Sequence, residues 1–263
     1  MMKIVSAAAM LAVSASMLGT STYAWFSMNK TVTAQISNIQ ATAANPYLLI
    51  SETENGTFDE AADAMVLDPA SATQLKLVTP LNVASNVAYK ATANATQNTT
   101  PNTFTTADTI LWGTTTSDDP AEVQASNVTT LIDAGDLDEY VQVSELWFKV
   151  KNNGNNTVNG SNLKCTKITF NSGTNSIAAS GRVLMVGDSG RYQLFNLVNG
   201  EVTASTSHST TEALWDSVTT TAEKVTVYFY FDGTADASYT NNATDLTSVT
   251  ATYEFAVDNQ DNI

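Results

Sequence analysis

The chemistry open to this chain is limited first by what it has little of. His208 is the one histidine among 263 residues. A zinc-binding HExxH helix and a His-rich metal site are therefore excluded, and a Ser-His-Asp triad would have to run through this residue. Its setting, Thr206-Ser207-His208-Ser209, is a polar loop ahead of an expected helix and reads as a solvated histidine. Cys165 is the lone cysteine, so no intramolecular disulfide can form. Within Leu163-Lys164-Cys165-Thr166 it reads as a small core residue of a strand rather than a reactive thiol. Asp133-Ala134-Gly135-Asp136-Leu137-Asp138-Glu139 is the densest carboxylate run and offers oxygen ligands of the kind calcium takes. It lacks the EF-hand spacing and reads as an acidic turn before a strand. Gly181-Arg182 and Gly187-Asp188-Ser189-Gly190 lack the strand-to-helix setting of a phosphate loop and read as turns. Trp112, Trp147 and Trp215 could stack on a sugar if exposed, although Trp147, between Leu146 and Phe148, reads as core. No nucleophile, base and orienting group assemble, so the expectation is a protein that is not an enzyme and carries no cofactor and no metal.

The charge balance narrows the partners. A formal charge of −15 with only 11 Lys and Arg cannot displace counterions from nucleic acid, and it disfavours anionic membrane surfaces equally. Such a surface repels copies of itself and stays soluble. Apolar residues make up 43% of the chain and charged residues 14%, so Thr, Ser and Asn must supply the polar surface. Thr, Val, Tyr and Phe fit a pleated face while Asn, Ser and Gly fit turns, which favours strands over helices.

The amino terminus carries the strongest signal. Lys3 precedes an apolar and small-residue run over 4–18, and Gly19-Thr20-Ser21-Thr22-Tyr23-Ala24 then supplies a helix break and a small residue to cut after. The run is about fifteen residues, short of the roughly twenty that a spanning helix needs, so it reads as a secretory signal peptide over 1–24 rather than a membrane anchor. A type IV pilin would be cut before its apolar stretch and carry a Glu just inside it, but no acidic residue occurs before Glu52. After the expected cut between Ala24 and Trp25, Phe26, Met28, Val32, Ala34 and Ile36 fall on one parity. Ser27, Asn29, Thr31, Thr33 and Gln35 fall on the other, the period-two pattern of a half-buried strand. An apolar strand at a freed terminus has two homes: the edge of its own sheet, or the open groove of a neighbouring copy. The pattern leaves both open.

The junction Thr20-Ser21-Thr22-Tyr23-Ala24-Trp25-Phe26-Ser27-Met28-Asn29-Lys30-Thr31-Val32 resembles the start of the TasA/camelysin-type secreted proteins of Gram-positive bacteria. In those proteins a dedicated signal peptidase cuts before an aromatic pair followed by Ser and a polar strand. The resemblance covers about thirty-five residues. It implies a jelly-roll β-sandwich at the cell surface, with members that build matrix fibres by donating the N-terminal strand to the next subunit. Here Trp25 and Met28 stand where a Phe and an acidic residue are more usual, and the middle of the chain is longer and rich in Asn and Thr. Some relatives are described as metalloproteases; nothing around His208 supports that activity here.

Beyond Ile36 the apolar parity flips to Ile39, Ala41 and Ala43, which suggests a bulge or a turn between two short strands. Tyr47-Leu48-Leu49-Ile50 reads as a fully buried run. The pattern is poor over 52–140. Short helices are expected over 58–65 and 120–132, and an Ala/Thr/Asn/Gln-rich stretch over 91–106 reads as a surface loop. Over 141–151 Val141 and Val143 lie on one parity and Leu146, Phe148 and Val150 on the other, which suggests a bulge at Ser144-Glu145. The segment 163–170 is expected to pair with it as a hairpin. Residues 182–186 and 191–198 flank a turn at 187–190 and should form another hairpin. Ser209-Thr210-Thr211-Glu212 has capping-box spacing for a short helix into Ala213-Leu214-Trp215. Val225, Val227, Phe229 and Phe231 form the clearest strand, and Val249, Ala251, Tyr253, Phe255 and Val257 the last.

The expected fold is therefore all-β: an antiparallel jelly-roll or Ig-like β-sandwich over 25–263 with short helical insertions, preceded by the signal peptide. The expected role is structural, at the cell surface or in an extracellular biofilm matrix, with copies of itself or other matrix proteins as partners and the signal peptidase during export. A monomeric surface module binding glycans or a host protein, an adhesin, is the alternative, with 52–140 as its recognition loops.

Overall fold

The computed structural model describes residues 31–44, 47–65, 73–80, 110, 112–114, 130–151, 160–171, 180–187, 191–203, 213–233 and 246–258. The first eight strands are β1 (Thr31–Ala43), β2 (Leu48–Ser51), β3 (Ala61–Met65), β4 (Thr73–Lys76), β5 (Thr79–Pro80), β6 (Trp112–Thr114), β7 (Thr130–Leu131) and β8 (Val141–Val150). They are followed by β9 (Gly160–Asn171), β10 (Gly181–Val186), β11 (Tyr192–Asn196), β12 (Gly200–Thr203), β13 (Trp215–Val218), β14 (Glu223–Phe231) and β15 (Leu246–Asp258). One 3-10 helix, Ala134–Glu139, precedes β8. The described residues are mostly β-strand, in keeping with the Thr- and Val-rich composition.

Two sheets enclose the main core. The larger runs β12-β9-β15-β1-β3, with β13 also beside β9 and β4 beside β1; the smaller runs β11-β10-β14-β8-β2. Period-two patterning supplies the facing surfaces. From the smaller sheet Val225, Val227, Phe229 and Phe231 of β14 and Leu146, Phe148 and Val150 of β8 enter the core, and from the larger Tyr253, Phe255 and Val257 of β15 meet them. Phe148 and Phe255, one from each sheet, lie 4.7 Å apart between ring centroids at 54°. Tilted rings at this distance add to the area they bury.

A second apolar cluster occupies the outer face of the smaller sheet. Val141, Leu184, Tyr192, Leu194 and Tyr230 point away from the main core and are covered by Val78 and Trp112, with Ile132, Leu137 and Tyr140 packed around them. The cover is a small sheet, β5-β6-β7, and the 3-10 helix. Trp112 meets Tyr230 edge-on at 5.0 Å and Tyr228 at 5.7 Å. The weakly patterned region 52–140 thus contributes β3 through β7, several of which roof a sheet that is consequently buried on both faces.

That second face corrects the expected bulge at Ser144-Glu145. β8 pairs with β14 from Val141↔Tyr230 to Phe148↔Glu223 in unbroken register. The parity changes because Val141 is buried beneath the cover, whereas Leu146, Phe148 and Val150 face the main core. Other expectations also change. Segment 163–170 belongs to β9, which pairs with β15, β12 and β13 and faces β8 across the core instead of pairing with it. The helix expected over 58–65 is replaced from Ala61 by β3, whose backbone bonds to β1 override the local alanine preference. The described end of the one expected over 120–132 is β7, paired with Gly113 and Thr114. The helix expected into Ala213-Leu214-Trp215 gives way to β13; its cap, 209–212, lies outside the described residues. Tyr47 and Leu49 are half-buried, so that run alternates. The hairpin of β10 and β11 forms as expected, from Arg182↔Asn196 to Val186↔Tyr192. At its turn a Cβ on Gly187 would lie 2.2 Å from the Leu214 carbonyl oxygen, so only glycine lets the two backbones approach.

β9 needs one further device. Its outer edge is taken by β13 over 160–163 and by β12 over 167–170, leaving Cys165 between them. The fully buried Gln193 side chain of β11 fills the gap: the Cys165 N–H donates to Oε1 at 2.7 Å, and Nε2 donates to the Cys165 carbonyl at 3.2 Å. One side-chain amide stands in for a strand and ties the two sheets together.

Candidate functional site

The first strand is the element on which sequence and fold converge. β1 and β15 run parallel, with partners from Ala34↔Leu246 to Ala43↔Phe255. This is the one named strand pair in the described sheets that is not antiparallel, which corrects the expectation of a wholly antiparallel sandwich. The other edge of β1 is shared. β4 covers Thr31 to Ala34, from Thr31↔Lys76 to Ala34↔Thr73, and β3 covers Ile39 to Thr42. Within the sheets, β3 and β4 pair with no other described strand, so β1 is what joins them to β15.

β1 has two halves. Its register against β15 shifts between Ala34 and Ile36 and again between Ile36 and Asn38, where the apolar parity of the sequence flips. Beyond the shift Ile39 and Ala41 are fully buried and Ala43 packs against the core. The strand then turns into β2: the Ala43 N–H donates to the Glu60 carbonyl and the Ala44 N–H to the Phe255 carbonyl, both at 2.8 Å. The second half is thereby held by β3, the residue before it and β15, while the first half is held by β4 and the start of β15. Chemically, the flanking strands present backbone donors and acceptors to β1 on two edges.

Of the residues singled out for strand donation, Val32 lies opposite Leu75, Ala34 opposite Thr73 and Leu246, and Ile36 opposite Val249. Ala24, Trp25, Phe26 and Met28 lie outside the described residues, as does His208. The flanks β3, β4 and β15 were missed as partners. The alternation of Val249 to Val257 marked β15 as a strand, but nothing local in it encodes a parallel neighbour.

The other candidates are placed as follows. The acidic run 133–139 forms the 3-10 helix after Asp133, and Glu139 forms an ion pair with Lys76, whose ammonium also lies 5.2 Å from the Tyr140 ring centroid. The hydrogen bond to Glu139 holds the Lys76 pKa above its ordinary value. Among the described residues no three His, Cys, Asp or Glu side chains are grouped to hold a metal. Cys165 is fully buried, and desolvation pushes its thiol well above the ordinary thiol range. Trp112 is 4% exposed and cannot stack on a sugar. Trp147 is not core but half-buried on the outer face, with Lys224 5.9 Å from its ring centroid; the Trp215 indole N–H donates to the Lys224 carbonyl at 2.9 Å. Among the described residues no helix is long and apolar enough to cross a membrane.

Comparison with known proteins finds no family model, no curated protein and no solved structure that matches this chain.

Proposed function

We propose that this protein is a secreted structural component of the cell surface or extracellular matrix, which assembles by passing its N-terminal strand into the slot of the next copy. The observation that carries the reading is the seat of β1: a strand near the expected cleavage site lies between β15 and β3 and β4, which pair with no other described strand of the sheets. In an isolated copy the strand fills its own slot. In a fibre the same backbone bonds are made between copies, so exchange costs little at equilibrium. Cleavage after Ala24 frees the strand, and Phe26, Met28, Val32, Ala34 and Ile36 are the groove-filling side chains.

The same reading carries the finer architecture. Successive strands β8, β9 and β10, and again β14 and β15, cross from one sheet to the other, as in jelly-roll and other Greek-key sandwiches. This topology and the junction at Trp25-Phe26-Ser27 are in keeping with kinship to TasA/camelysin-type proteins, and that kinship in turn implies export by a signal peptidase. The test is electron microscopy of protein cleaved after Ala24 and concentrated: filaments support the reading. A processed protein that stays monomeric, and whose monomer unfolds when residues 25–36 are deleted, overturns it. A glycan-binding module is favoured only by the half-buried Trp147 beside Lys224. Glycan-array binding lost in Trp147→Ala would establish that module instead.

A further inference from the structure

The segment that pairs with the first half of β1 continues without a break into the cover over the smaller sheet. β4 ends at Lys76 and β5 begins at Thr79. Between and around them, Leu75 and Leu77 are buried in the main core while Val78 is buried in the second cluster. Four residues of one chain therefore span both apolar clusters.

Each step along this segment has a named bond. The backbone of β4 pairs with 31–34 of β1 and with no other described strand of the sheets. Lys76 reaches across to Glu139 of the 3-10 helix and to the Tyr140 ring. The Thr114 hydroxyl donates to the Leu77 carbonyl at 2.9 Å, joining β6 to the same stretch. The Val78 N–H donates to the Phe231 carbonyl at 3.0 Å, and the Thr79 hydroxyl donates to Asp232 at 2.7 Å. Asp232 is itself 3.5 Å from Arg182, with both side chains largely buried.

We infer that β4 couples the occupancy of the β1 slot to the closure of the cover: when 31–34 are seated the cover is held down, and when they leave it loosens from the outer face of the smaller sheet. β4 without β1 is a four-residue strand with an unpaired edge, and such segments sit at the low end of local stability. Its register sets Lys76 against Glu139 and Leu77 against Thr114, so loss of that register removes two attachments of the cover at once. The coupling works in both directions, because a free-energy linkage between two sites is reciprocal. It holds whichever copy supplies the strand, so it stands or falls apart from assembly: a monomer that never exchanges strands still displays it.

Hydrogen–deuterium exchange on the full chain, resolved by segment, tests this. In Thr33→Pro, which removes a backbone donor inside the first half of β1, amides over 77–79, 112–114 and 134–140 should exchange at least about tenfold faster, while 225–231 of β14 stay protected. Change confined to 31–34 and 73–76 would overturn the inference. Should Thr33→Pro unfold the whole chain, Lys76→Met decides the matter, since it leaves the β1–β4 backbone bonds in place. Faster exchange at 31–34 as well as 134–140, with 38–43 unchanged, supports the coupling; change limited to 134–140, or uniform over all segments, refutes it.

Discussion

Replacing Gln193 by Leu is the sharpest probe of how the two sheets are held together. The side chains are similar in size, so packing changes little, yet the substitution removes both hydrogen bonds to Cys165 and leaves its N–H and carbonyl buried without partners. Each orphaned backbone group costs about 1–3 kcal/mol, partly offset by exchanging a buried amide for an apolar group, which leaves a net loss of about 3 kcal/mol. With a urea m-value of roughly 2–3 kcal/mol/M, the midpoint should fall by about 1 M or more at unchanged slope. Urea unfolding followed by far-ultraviolet circular dichroism reads this directly. A shift below about 0.3 M would mean that the gap between β12 and β13 closes on itself, and that the amide is not the link described.

Four further outcomes follow from the same geometry. Trp112→Ala should cost about 3–5 kcal/mol and flatten the near-ultraviolet signal of Tyr228 and Tyr230, checked by thermal and urea unfolding. The Tyr253 hydroxyl is buried with no hydrogen-bond partner, so Tyr253→Phe should leave stability unchanged or raise it by up to about 1 kcal/mol in the same assay. Cys165 should resist a thiol-specific reagent in the native protein and react once urea unfolds it; prompt native labelling would contradict its burial. Asp258 is held below the ordinary carboxylate pKa by hydrogen bonds from Asn162 and then Lys164. A carboxylate depressed in this way stabilises the fold above its unfolded pKa and loses that contribution as pH falls through its native value. With half of the side chain exposed the contribution is small, so the test is an NMR titration of Asp258, whose midpoint should rise in Asn162→Ala.

The strands with strict alternation were legible because one physical signal decides them. Val225 to Phe231 and Val249 to Val257 place every second side chain in the main core, and the strict apolar alternation shows it even though Tyr228 and Tyr230 of β14 also pack under the cover. The bulge in β1 was legible for the same reason, since a register shift moves the apolar set from even to odd numbers. Where a strand is covered on both faces the same rule misleads. Val141 and Leu146 are both buried, under different roofs, and one sequence parity cannot express two cores. Partner choice was the least legible property. β8 and β9 look like a hairpin in sequence but lie in opposite sheets, and the parallel contact of β1 with β15 joins segments some two hundred residues apart. Gln193 carried no visible signal at all, because a glutamine in Tyr192-Gln193-Leu194 reads as the solvent side of a strand until its backbone partner is known.

The central claim, that the first strand can serve a neighbouring copy, is tested most directly by mixing two chains that each carry one added cysteine, with the native Cys165 replaced by Ala in both. Thr33 of β1 faces Gln74 of β4 across the slot. Chains carrying Thr33→Cys and chains carrying Gln74→Cys are combined after cleavage, concentrated, oxidised and run on a non-reducing gel. Strand exchange predicts a disulfide-linked dimer of the two chains that neither forms alone. If the mixture stays monomeric, while the double variant in one chain forms its disulfide internally at every concentration, the strand never leaves its own sheet and the proposed mode of assembly is wrong.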